Sequence, residues 1–114
     1  MDRTGEEDSV DALGGFEHRV LLALVRLGGR AYSVPVVQEL ERVGGRTVAP
    51  AAVYVTLRRL EKRGMLTSEM VPAEDGEAGR PRRFFAVEEA ASEALRAARA
   101  DLENLWAGVE ALGL

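Results

Sequence analysis

Glycine stops constrain this chain more than any other feature of its sequence. Gly28-Gly29, Gly44-Gly45 and Gly64 each follow a segment in which apolar residues recur at helical spacing. Glycine takes the left-handed conformation that commonly closes a helix, so three short helices are expected in the first half of the chain. In GGFEHRVLLALVRLGG, Phe16, Val20, Leu24 and Leu27 share one face, widened by Leu21 and Val25. In YSVPVVQELERVGG, Ser33 can cap the first turn, Pro35 sits near the start, and Val36, Val37, Leu40 and Val43 supply the buried side.

The third segment, TVAPAAVYVTLRRLEKRG, opens with Pro50 and stops at Gly64, a helix of about four turns over residues 50–63. At roughly 100° per residue, Val53, Leu57 and Leu60 fall within one narrow arc and face the core. Ala51, Val55, Arg58 and Lys62 occupy the opposite arc, with Tyr54 on one flank and Ala52 and Arg59 on the other. Small residues near the N-terminus and cations further along let such a helix sit deep against an anionic partner.

Beyond Gly64 the period changes. MLTSEMV and RRFFAV alternate like strands and flank PAEDGEAGRP, which is rich in turn formers. A two-stranded hairpin is expected over residues 65–87, with Leu66 and Met70 on one face and Phe85 and Val87 on one face. Glu74, Asp75 and Glu77 would solvate its tip. From Glu88 onward Ala91, Leu95, Ala98, Leu102, Leu105, Val109 and Leu112 recur at alternating spacings of four and three. That is a heptad seam, and it predicts a long helix over residues 88–114.

The formal net charge is −4, but it is unevenly spread: from Arg42 to Arg83, nine Lys/Arg stand against five Asp/Glu, a local balance of +4. A phosphate backbone responds to the local distribution, not to the sum. The stretch GRPRRFF concentrates three of these cations, Arg80, Arg82 and Arg83, at the far end of the expected hairpin. The residues before position 13 are acidic and aperiodic, a flexible tail with no apolar signal core.

Several classes of chemistry are excluded by composition. Cysteine is absent and His18 is the single histidine, so thiolate nucleophiles and disulfides are excluded, and one imidazole without cysteine makes a weak transition-metal site. The glycine pairs do not form a phosphate-binding fingerprint. No stretch approaches the roughly 18 apolar residues of a membrane span. The expectation is a cytoplasmic protein without catalytic activity, metal or cofactor.

Three helices, a hairpin with a basic arm and a long C-terminal helix make a mainly α fold, a winged helix-turn-helix over residues 13–87 followed by a dimerisation helix over 88–114. Residue by residue, FEHRVLLALVRLGGRAYSV, VAPAAVYVTLRRLEKRGML and GRPRRFFAV resemble the PadR family of transcriptional regulators. The resemblance covers most of Leu13 to Val87, and Tyr54, Leu57 and Leu60 together with the Gly-Arg-x-Arg stretch carry it. It implies a dimeric repressor of double-stranded DNA in which Tyr54 and its neighbours on the third helix touch a pseudo-palindromic operator. Three departures stand out: Ala49 where relatives often carry a capping Ser or Thr, Phe84 and Phe85 where they have wing tyrosines, and VEEAA where a Leu-Thr-x-x-Gly turn is common.

The expected DNA-contacting residues are therefore Ala51, Ala52, Tyr54, Val55, Arg58, Arg59, Lys62, Arg80, Arg82 and Arg83. The seam is too apolar to hide against so small a domain, so a second copy should cover it, with the first helix alongside. Its expected residues are Phe16, Val20, Leu95, Ala98, Leu102, Leu105, Trp106, Val109 and Leu112. Some relatives stack small planar effectors on aromatic surfaces near this helix, which makes Trp106 a candidate platform. Two other readings use the same surfaces: a winged-helix module that binds an acidic protein, and a DNA-binding regulator of MarR-like type.

Overall fold

The structure, a computed structural model, describes residues 12–73 and 79–113. The acidic tail, apart from residue 12, and Glu74, Asp75 and Glu77 of the expected hairpin tip lie outside the described residues. Helices α1 (Gly15–Arg26), α2 (Ser33–Gly44) and α3 (Pro50–Lys62) follow the glycine stops, and α4 runs over Glu89–Trp106. Three strands interleave with them: β1 (Arg30–Ala31), β2 (Leu66–Val71) and β3 (Arg82–Val87). They form one antiparallel sheet in the order β1-β3-β2.

The expected hairpin is thus the larger part of a three-stranded sheet. β1 is two residues long, too short to show alternation in sequence, and exists because its partner holds it: Arg30 pairs with Ala86 and Ala31 with Phe85. The Gly28-Gly29 turn delivers it there. Gly28 and Gly29 have φ of +94° and +89°, the Gly29 amide donates to Leu24 O at 2.9 Å, and Gly29 O accepts from the Val87 amide at 3.0 Å.

α1, α2 and α3 pack around one core. Val20, Leu21, Leu24, Val36, Val53, Leu57, Leu60 and Phe85 are fully buried in it. Each aliphatic or aromatic side chain of this kind contributes roughly 1.5–3 kcal/mol of gross burial. Thr56, between Val53 and Leu57 on the inner face, is buried with them. Glu39 ties α1 to α2 by accepting from Arg26 at 2.6 Å and Arg42 at 2.6 Å. The hydrogen bonds from Arg42 and Arg26 hold its carboxyl down at about 2.

Three expectations are corrected. Ser33 is the first residue of α2, not its cap: Tyr32 occupies the cap position and no side chain bonds the first-turn amides. Val20 is wholly inside the core, so it has no surface to offer a second copy. The heptad helix breaks, because Ala107 turns extended (ψ 124°) and Gly108 is left-handed at φ +82°. Val109 to Leu112 then form a separate 3-10 turn. The leucine spacing ran through this break without registering it. α3, by contrast, starts as its sequence indicates, with Pro50 at the first helical position and Ala49 as a cap that supplies no side-chain hydrogen bond.

Gly28 and Gly29 offer a matched pair for testing the turn. Both backbones are strained for an L side chain, by about 1–2 kcal/mol, but a Cβ on Gly29 would lie 3.3 Å from Val87 Cγ2 while one on Gly28 meets nothing within 4 Å. Both Gly→Ala variants should lower stability in urea unfolding, with Gly29→Ala the more destabilised of the two.

Candidate nucleic-acid interface

The site is organised by the alternation of β3. Phe85 points inward and is fully buried, which places Arg83 on the same inner face and Arg82 and Phe84 on the outer one. The register carries this to β2, with Ser68 opposite Phe85 and Glu69 opposite Phe84.

On the outer face, rings and guanidinium groups alternate. Phe84 packs against Tyr32 with ring centroids 5.2 Å apart. The Arg82 guanidinium lies 4.5 Å from the Tyr32 ring centre and that of Arg30 lies 4.5 Å from Phe84. Arg30 also donates to Glu69 at 2.9 Å, arching over Phe84 from β1 to β2. Each cation-ring contact is worth about 0.5–1 kcal/mol at exposed positions. The wing strand is thereby fastened to the start of α2, and Arg82 is held against it.

On the inner face the partners come from α3. Arg83 donates to Ser68 Oγ at 2.9 Å, and Ser68 donates to Glu61 at 2.7 Å. Glu61 lies 3.3 Å from Arg58 Nε, and Arg58 donates to the Tyr54 hydroxyl at 3.1 Å. Tyr54 meets Phe85 edge-on at 6.0 Å. The hydrogen bond from Arg58, with smaller help from Arg83, holds the Tyr54 phenol below its ordinary value of 10.0.

The expected α3 face therefore divides in three. Tyr54 and Arg58 border the wing. Ala51, Val55 and Lys62 lie exposed. Ala52 lines a cleft toward α1 with Phe16, Leu40 and Val48, and Arg59 acts on the Glu17 carboxylate of α1. Tyr32, Ser33, Tyr54 and Gly79 to Arg83 line an open cleft of about 410 Å3 between the start of α2, α3 and the wing. Tyr54, Arg80, Arg82 and Arg83 are thus brought to one place.

The expected self-association residues are less united. Ala91 and Leu95 pack on the protein's own core, and Phe16 lies in the α1–α2–α3 cleft, apart from α4. Ala98 lines a cleft between α4 and α1 with His18 and Leu102. Leu102, Leu105 and Trp106 stay together, 48%, 66% and 53% exposed, with Leu112 beyond the break at 80%. Val109 is half-buried in the turn.

Tyr32, Ser68, Glu61 and Arg30 were not anticipated. Tyr32 could have been found as a ring immediately before a helix whose hydroxyl-bearing neighbour does not cap it. Ser68 and Glu61 carry no such signal, because their meeting depends on how α3 and β2 pack.

The chain matches the transcriptional regulator PadR-like family over residues 21–97. It belongs to that family. The PadR family consists of transcriptional regulators, not enzymes, and this protein is a DNA-binding transcriptional regulator. Among solved structures, a PadR family transcriptional regulator from Eggerthella lenta is 29% identical, with 82% of this chain and 79% of that chain aligned at a TM-score of 0.64. A PadR-like transcription factor from Bacteroides fragilis superposes over 97% of this chain and 99% of its own at TM-score 0.71, with 20% identity. F93 from STIV, a winged-helix DNA-binding protein, aligns over 77% of this chain and 87% of its own at TM-score 0.62 and 15% identity, a likeness of fold. No curated protein matches this PadR-like chain. Among the described residues no helix is long and apolar enough to cross a membrane, and no group of three or more potential ligands could hold a metal ion.

The Tyr54–Arg58 contact can be read by titration. In a Tyr32→Phe background, Tyr54 is the one tyrosine left. Its tyrosinate absorbance should rise below pH 10, and Arg58→Gln should move the curve back up. Because the folded value is depressed, the associated stability is fully present above the unfolded value and lost as pH falls through the folded one. At neutral pH it contributes nothing.

Proposed function

We propose that this regulator binds as a homodimer to a pseudo-palindromic operator, α3 entering the major groove and the wing arginines reaching flanking phosphates. The observation that carries this reading is the convergence of Tyr54, Arg80, Arg82 and Arg83 on one cleft. Repression is the role the family resemblance implies. Arg58, Arg82 and Arg83 are held by neighbouring side chains, so less side-chain freedom is lost when DNA arrives.

A second copy is supported by the far half of α4. Leu102, Leu105 and Trp106 form an apolar cluster that this protomer leaves exposed, and patches of this kind commonly mark an interface. Two-fold symmetry would then set the two α3 helices about 34 Å apart, one turn of DNA. Trp106 offers that seam a flat surface on which a planar effector could stack. Any such effector acts only by favouring one spacing of the two helices over another.

The decisive measurement is fluorescence anisotropy with a duplex selected by the protein from random DNA, titrated with salt. With about four phosphates engaged per protomer, the log-log slope should approach about −7. Replacing Arg80, Arg82 and Arg83 by Ala should weaken binding to all duplexes alike and flatten that slope; a slope that stays the same removes these residues from the phosphate contacts. Leu102→Glu with Leu105→Glu should sediment as a monomer that keeps its helical circular dichroism. A variant that still sediments as a dimer places the interface elsewhere.

A further inference from the structure

Glu61 is an acid beside a surface meant for phosphate. It sits in the last turn of α3 between two arginines of the binding face, where a carboxylate should repel DNA. Its position has a structural counterpart in Ser68 of β2. Ser68 Oγ accepts from Arg83 at 2.9 Å and donates to Glu61 Oε2 at 2.7 Å. Glu61 Oε1 is buried and accepts no hydrogen bond among the described residues, while facing Arg58 Nε at 3.3 Å. Arg58 in turn donates to Tyr54. Five side chains on α3, β2 and β3 therefore make one line from a wing cation to the recognition tyrosine.

Resting on the reading of this face as the DNA-binding one, we infer that Glu61 and Ser68 are positioning residues: their hydrogen bond clips the wing to α3 and sharpens discrimination between operator and other DNA. Nonspecific association needs cations near phosphates and tolerates mobile ones. Specific association needs Tyr54 and Arg58 in register with base edges while Arg83 meets the backbone, a demand on relative placement. The clip fixes that placement. Glu61 thus lowers the general attraction for DNA and raises selectivity, two effects of opposite sign on the two kinds of binding.

Ser68→Ala separates them, because it breaks the clip without changing charge. Its affinity for the selected duplex should fall roughly tenfold, the scale of one charge-assisted hydrogen bond, with affinity for a scrambled duplex unchanged. Ser68→Thr, which keeps the hydroxyl, should restore the ratio. Glu61→Gln should bind scrambled DNA more tightly and the selected duplex less tightly. A Ser68→Ala protein with the wild-type ratio, or a Glu61→Gln protein that gains equally on both duplexes, overturns the inference. Nitrogen-15 relaxation of the arginine Nε groups in DNA-free protein tests the clip by itself. Arg58 and Arg83 should be ordered in the wild type, and Arg83 clearly less ordered in Ser68→Ala, where its weaker contact with Tyr54 is what remains. If both already move freely in the wild type, the clip does not exist, whatever the DNA results. If the wild type prefers no duplex, the operator reading fails while relaxation still decides the clip.

Discussion

The burial of Phe85 is the interaction on which the orientation of the wing depends. It is the largest of the fully buried side chains, and it sits in the central strand of the sheet, opposite Ala31 on one side and Ser68 on the other. With the period of a strand fixed at two, this one insertion dictates which arginine faces α3 and which faces the start of α2. A slip of one residue would put Phe84 in the core and reverse Arg82 and Arg83. Tyr32 would lose Phe84 as its ring partner, and Ser68 would meet Arg82 in place of Arg83. The wing is therefore oriented from inside the core, and the glycine turn before β1 matters because it brings Ala31 up against the same ring.

A net charge of −4 is reconciled with a cationic face by where the carboxylates are used. Glu39 is occupied by Arg26 and Arg42, Glu69 by Arg30, and Glu17 by Arg63. For Glu17, burial opposes ionisation, but the Gly14 amide and Arg63 outweigh it and leave the carboxyl below its ordinary value. Most of these pairs tie one element to another away from the open centre of α3. Among the described residues, Lys62 and Arg80 lie exposed with no carboxylate at ion-pair distance. Surface ion pairs add little stability; their larger effect here is to set which cations remain available.

Much of this was legible because it follows from local chemistry. Val53, Leu57 and Leu60 declare the inner face of α3 by spacing alone, and Gly45 and Gly64 stop their helices in the left-handed conformation. The grouping of Arg80, Arg82 and Arg83 follows from nearness in sequence. What was not legible depends on partners distant in the chain. Arg30 and Ala31 become a strand only when β3 is beside them, and Phe84 gives no sign that Tyr32 waits on the outer face. Val20 shares a helical stripe with surface residues, yet the three-helix core closes over it. The seam of α4 misled for a different reason: its leucines keep their spacing through Ala107 and Gly108, where side-chain periodicity is blind to a backbone that has left the helix.

The break at Gly108 also changes how the face formed by α3 and the wing is joined to the C-terminal region. With Ala91 and Leu95 packed on the core, the first half of α4 is part of the winged-helix body. The exposed cluster at Leu102 to Trp106 projects from it over a short remaining length. Between them lies the cleft lined by Leu13, Gly14, His18, Ala94, Ala98 and Leu102. Its α1 wall is fastened to the end of α3, since Arg63 donates to Glu17 at 2.7 Å and to Ala12 O at 2.9 Å. The start of α1 and the end of α3 thus meet around one guanidinium. α4 packs on α1 and α1 on α3, so the exposed cluster and α3 are joined by way of α1, which meets α3 through the shared apolar core as well as through this guanidinium.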